Sequence, residues 1–118
     1  MHKGQKFFFR LKCAIEGIGI AFKGESSFRT QILAAVLAIA SLIYLRPSLI
    51  WSALVLVMIF LVLAAELFNT AIEHLLDGLH PDHAEFVRIA KDCSAAAVLV
   101  LSVASILVFL LMVISVWS

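Results

Sequence analysis

The sequence is short of charge. Only 14% of its 118 residues are Asp, Glu, Lys or Arg, while 64% are hydrophobic and mean hydropathy is +1.11. A soluble domain carries about a quarter charged residues, so a soluble globular fold is excluded and an integral membrane protein is expected. The net charge of +1 offers no bulk field for nucleic acid. Only two prolines occur, Pro47 and Pro81, and neither interrupts a long apolar run. The two cysteines, Cys13 and Cys93, lie far apart, fit no ligand spacing and read as free small apolar residues. There is no G-x-x-x-x-G-K-[ST] phosphate loop and no protein-kinase signature. Any phosphate chemistry would have to be built from helices alone. The start "MHKGQKFFFRLK" is basic and then aromatic, lacks a small-residue cleavage site, and is not read as a signal peptide.

What is present is apolar and helical. Residues 1–118 read as one membrane-embedded domain with three spans of about 20 residues each. Over about 5–23, Phe7, Phe8, Leu11, Ile15, Ile18 and Phe22 recur at helical spacing among Lys6, Arg10 and Lys12, which predicts an amphipathic helix lying on the membrane surface. "KGESSF" reads as a turn and helix start, with Ser26 or Ser27 as cap. The first span is expected at about 28–45 and ends at "RPS". The second starts near Leu49, is apolar to Ala65 and covers about 49–68, with the helical pattern continuing to Leu76. Asp77 with Gly78, and His80 with Pro81, read as a turn. A polar stretch, 82–92, starts another helix, and the third span follows at 93–117 with Trp117 as interface anchor.

Lysine and arginine set the expected orientation. Lys3, Lys6, Arg10, Lys12, Lys23 and Arg29 are placed with the first span's start. Arg88 and Lys91 lie between the second and third spans, only Arg46 lies between the first and second, and none follows the third. The positive-inside rule then puts the N-terminus and residues 69–92 in the cytoplasm and the C-terminus outside. Every acid falls on or near the cytoplasmic side, which faces ATP and Mg²⁺.

The stretch "AAELFNTAIEHLLDGL", 64–79, brings acids to the end of an apolar run. On a helix with Glu66 at zero, Asn69 falls near about 300°, Glu73 near about 340°, Asp77 near about 20° and Thr70 near about 40°. A solvated face explains Glu73 and Asp77. It does not explain Glu66 and Asn69, which abut the apolar run, because ionisable residues at membrane depth usually face a bundle interior and act there. Lys91 and Asp92 stand at the start of the third span, where lysine could meet phosphate and aspartate suits the helix dipole; the alternatives are a snorkelling anchor and a plain N-terminal charge. The small run Ser94, Ala95, Ala96, Ala97 permits close packing or leaves room for a ligand. Glu25, Arg29 and Gln31 form a third polar patch. His74, His80 and His83 do not have zinc spacing. Oxygen ligands suit Mg²⁺ shared with phosphates, a lysine suits phosphate, and a carboxylate at the membrane surface can take a proton from a lipid alcohol. Together these suit phosphoryl transfer to a lipid hydroxyl.

"AELFNTAIEHLLD" (65–77), "AKDCSAAAVLV" (90–100) and the upstream "GESSFR" (24–29) resemble the bacterial integral-membrane diacylglycerol kinase and undecaprenol kinase family. The blocks stand in family order, and E-x-x-N-[ST]-A-[IL]-E is a specific pattern. The resemblance implies an all-α membrane protein with three transmembrane helices and an N-terminal surface helix. It implies a homotrimer with active sites shared between protomers, using ATP and Mg²⁺ as cofactor to phosphorylate a membrane lipid. Carried over, Glu66 is the general base and Asn69 orients it. Glu25 and Glu73 hold the metal on ATP, and Lys91 and Asp92 contact the nucleotide. Lys6 or Arg10 reaches its phosphates. Phe28, Arg29, Thr30 and Ala95, with Glu66, lie on the lipid side, and Asp77 is a supporting polar position. Thr30 stands where the family often has glutamine, and Ala95 where it has serine. The expected product is phosphatidic acid from diacylglycerol, with undecaprenol as rival acceptor: "KDCSAAAV" favours the first and "FRTQILAAVLAIA" the second. A small oligomeric transporter or channel is the alternative of another class, but the mid-span segments contain only Ser41 as a polar residue.

Overall fold

The computed structural model describes residues 6–79 and 84–118, and every element in it is helical. The order is α1 (Phe7–Gly24), α2 (Ser26–Leu45), α3 (Leu49–Leu79) and α4 (Glu85–Trp117). The last three are long and apolar enough to cross a membrane. Their outward faces carry large exposed side chains such as Leu37, Ile43, Phe60, Leu99 and Leu110. Such a surface is sustainable in hydrocarbon, where a helix satisfies its own backbone.

Helix lengths place the polar stripe. The 17 residues from Leu49 to Ala65 span ~26 Å at ~1.5 Å per residue, close to the thickness of a hydrocarbon core. The whole of α3, 31 residues, spans ~46 Å. Its last four turns therefore extend past the apolar layer without a break in the helix. Asp77 and Gly78 are helical, not a turn, because α3 runs on to Leu79. A single glycine costs a helix only about 1 kcal/mol relative to alanine. His80, Pro81, Asp82 and His83 lie outside the described residues. The polar stretch from Glu85 is the first part of α4 and is continuous with the third span.

Between α2 and α3 the chain turns on Arg46, which is left-handed (φ 49°) and ends α2, ahead of Pro47. Between α1 and α2 it turns on Glu25, in extended backbone. Glu25 takes the N-cap position of α2, and no side chain caps the helix; neither Ser26 nor Ser27 serves there as expected, since both are already helical. Arg29 closes the other side of that corner. Its Nη1 donates to the carbonyl oxygens of Phe22 (2.7 Å) and Lys23 (3.1 Å), the orphan acceptors at the end of α1.

The core is a narrow seam. Val55 and Ile59 of α3 meet Met112 of α4, and Ala35, Ala38 and Leu42 of α2 pack against them. The small alanines let α2 approach closely. Higher up, Gln31 Nε2 donates to Ser102 Oγ at 3.1 Å, tying α2 to α4. α3 and α4 share the most extensive contact, so they form a long hairpin on which α2 leans. In α1 the buried residue is Ala21, and all six of its periodic apolar side chains are exposed.

Candidate functional site

The stripe on α3 is not a solvated face at its Glu66 end. Glu66 is 2% exposed and Thr70 is 7% exposed, although both are polar and lie where the helix leaves its apolar segment. Asn69 and Glu73 are half-buried, and Asp77 is exposed. Polarity thus enters from inside the bundle and reaches the surface over three turns. Burying a carboxylate without partners costs several kcal/mol, so each neighbour of this face matters.

Two hydroxyls supply partners, one from each flanking helix. Ser27 of α2 donates to Glu66 Oε1 at 2.7 Å. Ser94 of α4 donates to Asn69 Oδ1 at 2.6 Å. The second bond sets the amide's direction, because Asn69 Nδ2 then points along α3 to Glu73 Oε1, at 3.4 Å. An ionised Glu73 only accepts, so the amide nitrogen belongs on that side. Glu66, Asn69 and Glu73 therefore stand in line on α3, with Glu66 tied to α2 through Ser27 and Asn69 tied to α4 through Ser94.

At the outer end, Lys91 of α4 reaches back to α3 and its Nζ donates to Asp77 Oδ1 at 2.6 Å. Asp92 turns away. It accepts from Arg88 at 3.0 Å, and Arg88 also pairs with Glu85, all on the exposed side of α4. Adjacent residues on a helix point about 100° apart, so Lys91 and Asp92 do not face one point within a protomer. The remaining positions fall into two groups. Glu25 is half-buried at the α1–α2 corner, and Lys6 and Arg10 are exposed at the start of α1. Phe28 is buried in α2, Arg29 caps α1, Thr30 donates back to the Ser26 carbonyl (3.0 Å), and Ala95 is exposed.

By sequence pattern alone Ser27 suits a helix cap and Ser94 belongs to a run of small residues. Ser94 was within reach of sequence reasoning: it lies three residues after Lys91, so whichever face Lys91 presents, Ser94 shares. Nothing in the local pattern marks Ser27. Between α3 and α4, beside Asn69 and Ser94, a groove of about 310 Å³ is lined by Leu61, Ala65, Phe68 and Leu101. Its polar end is at the site and its apolar end runs along the span.

A family model described as prokaryotic diacylglycerol kinase matches residues 12–113. The chain is similar to a diacylglycerol kinase of Synechocystis sp., with 33% identity over 78% of this chain and 53% of the relative, so it spans about half that relative's length. It is similar to the diacylglycerol kinase of Haemophilus influenzae at 32% identity over 75% of each chain. It is also similar to the undecaprenol kinase of Bacillus subtilis, at 31% identity over 90% of this chain and 86% of the relative.

Proposed function

The chain belongs to the prokaryotic diacylglycerol kinase family, and from that premise we propose that it transfers the γ-phosphate of ATP to the hydroxyl of diacylglycerol, giving phosphatidic acid at the cytoplasmic face of the inner membrane. The observation that carries this is a nearly enclosed carboxylate, Glu66, at the membrane boundary, followed by Asn69 and Glu73 on one helix face. One substrate dissolves in the bilayer and the other in the cytosol, and only a site at their boundary serves both. Undecaprenol is the second acceptor to consider, favoured by the likeness to an undecaprenol kinase over 90% of this chain.

Glu66 takes the proton of the lipid hydroxyl on Oε2. The hydroxyl oxygen bonds to the γ-phosphorus as the bond from that phosphorus to the bridging oxygen of ADP breaks. Asn69, held by Ser94, keeps the amide between base and metal ligand. Glu25 and Glu73 would hold Mg²⁺ with the triphosphate, and their carboxylate oxygens suit it. Glu73 is an oxygen ligand with one long hydrogen bond, and Mg²⁺ uses one or two carboxylates plus phosphate oxygens and waters, not an all-protein cage. When bound, Mg²⁺ neutralises charge on the triphosphate. Lys91 meets phosphate oxygens after leaving Asp77, helped by Lys6 or Arg10 from α1, while Asp92 contacts the nucleotide away from its phosphates.

In this arrangement α1 lies on the membrane surface, its exposed Phe7, Phe8 and Ile15 in lipid. The N-terminus is cytoplasmic and the C-terminus external, a reading that the lysine and arginine distribution supports. The protein works as a homotrimer with sites shared between protomers.

The assay is phosphate transfer in mixed micelles, with diacylglycerol and undecaprenol supplied in parallel. Faster phosphorylation of diacylglycerol is expected; faster phosphorylation of undecaprenol assigns the other acceptor, and no product on either lipid rejects the kinase. Glu73→Ala should raise the KM for Mg·ATP at least about tenfold, since charge-assisted ligand contacts contribute on the order of 1.5–3 kcal/mol. Its lipid KM should stay near that of the parent protein. An unchanged Mg²⁺ dependence would remove Glu73 from the metal site.

A further inference from the structure

An enclosed base needs its two oxygens told apart. The end of a glutamate side chain turns about a broad, roughly two-fold torsion, so either oxygen can face the incoming hydroxyl unless one is held. Glu66 has one hydrogen-bond partner among the described residues, Ser27 Oγ on Oε1 at 2.7 Å. Oε2 carries none. O–H···O⁻ bonds of this kind are among the strong ones.

The Ser27 hydroxyl is used unusually. A serine in the first turn of a helix ordinarily bonds backbone nearby or water. Thr30, in the same turn region, does so by donating to the Ser26 carbonyl. Ser27 instead reaches across to a residue 39 positions away. It also stands two positions after Glu25, at the corner where α1 meets α2. The bond therefore ties that corner to the reactive face of α3.

We propose that Ser27 is a positioning residue for phosphoryl transfer: by occupying Oε1 of Glu66 it commits Oε2 to the proton of the lipid hydroxyl and holds the Glu25 corner in register with the base. The inference rests on the lipid kinase function proposed above. Ser27 touches no substrate in this role and acts only through Glu66 and the helix corner.

The test compares steady-state kinetics of the full chain and of Ser27→Ala, Ser27→Thr and Ser27→Cys in mixed micelles, varying lipid and Mg·ATP separately. Ser27→Ala should lower kcat about tenfold, the effect of one charge-assisted hydrogen bond lost in the transition state, with both KM values within about twofold of the parent. Ser27→Thr keeps the hydroxyl and should restore most of the rate. Ser27→Cys, a weak donor, should fall between them. Parent-like kcat in Ser27→Ala, or a change confined to KM, overturns the proposal, as does a Thr variant as slow as the Ala variant. If Ser27→Ala does not fold, equal rates for the Thr and Cys variants overturn it just as well. A parent protein that phosphorylates neither lipid is a separate failure and rejects the kinase itself, whereas an active parent with an indifferent Ser27 rejects only the positioning role.

Discussion

Glu66→Gln is expected to lower lipid phosphorylation at least about a hundredfold while Mg·ATP binding stays within about threefold of the parent, because a positioned general base contributes roughly 10²–10⁴ and its proton-accepting oxygen is what the amide lacks. The substitution is nearly isosteric. The amide carbonyl can still accept from Ser27, so the link from α2 to α3 survives. Removing charge from a residue only 2% exposed does not threaten the fold, since burial penalises the charged form. The loss should therefore lie in kcat and not in thermal stability. Single-turnover phosphate transfer together with nucleotide binding by fluorescence checks this. Turnover within tenfold of the parent would remove Glu66 as the base and return Glu73 or Asp77 as candidates.

The second large effect is a gain. Glu66→Gln and Lys91→Ala should each be inactive alone, and, on the proposed oligomer with shared sites, assemblies mixed from the two should recover activity. Within a protomer, Lys91 is bound to Asp77 near the outer end of α3, three turns beyond Glu66. The same protomer's Asp92 faces away, towards Arg88. If the nucleotide-binding residues of α4 serve the Glu66 of a neighbouring copy, one site in about four retains both in an equimolar random mixture, since each half is intact with a chance of about one half. Recovery of about a quarter of parent activity per site is the expected value, read after mixing in detergent and reconstituting. Absence of recovery in verified mixed oligomers would mean that each protomer closes its own site, with Lys91 and Glu66 contributed by one chain.

Much of the fold was legible because apolar runs and helix ends obey local physics. The run from Leu49 to Ala65 matches a bilayer core in length, and Pro47 lies just beyond the end of α2. The errors also have local causes. Asp77 and Gly78 resemble a turn, yet the 31-residue helix continues through one glycine because propagation is cheap once nucleated. Ser26 and Ser27 resemble caps, yet the chain enters α2 one residue earlier, on Glu25.

By itself the sequence determined three apolar helices and the one face of α3 that carries Glu66, Asn69, Glu73 and Asp77, because helical period and hydrophobic length act over a few turns. Only the tertiary structure decided which of these acids are enclosed, that Ser27 and Ser94 are their partners, that Lys91 turns to Asp77, and that Asp92 does not accompany it. Those choices join residues 14 to 39 positions apart. They depend on how α2 and α4 rotate about their own axes as their small residues pack against α3, and no periodicity within a single helix records that rotation.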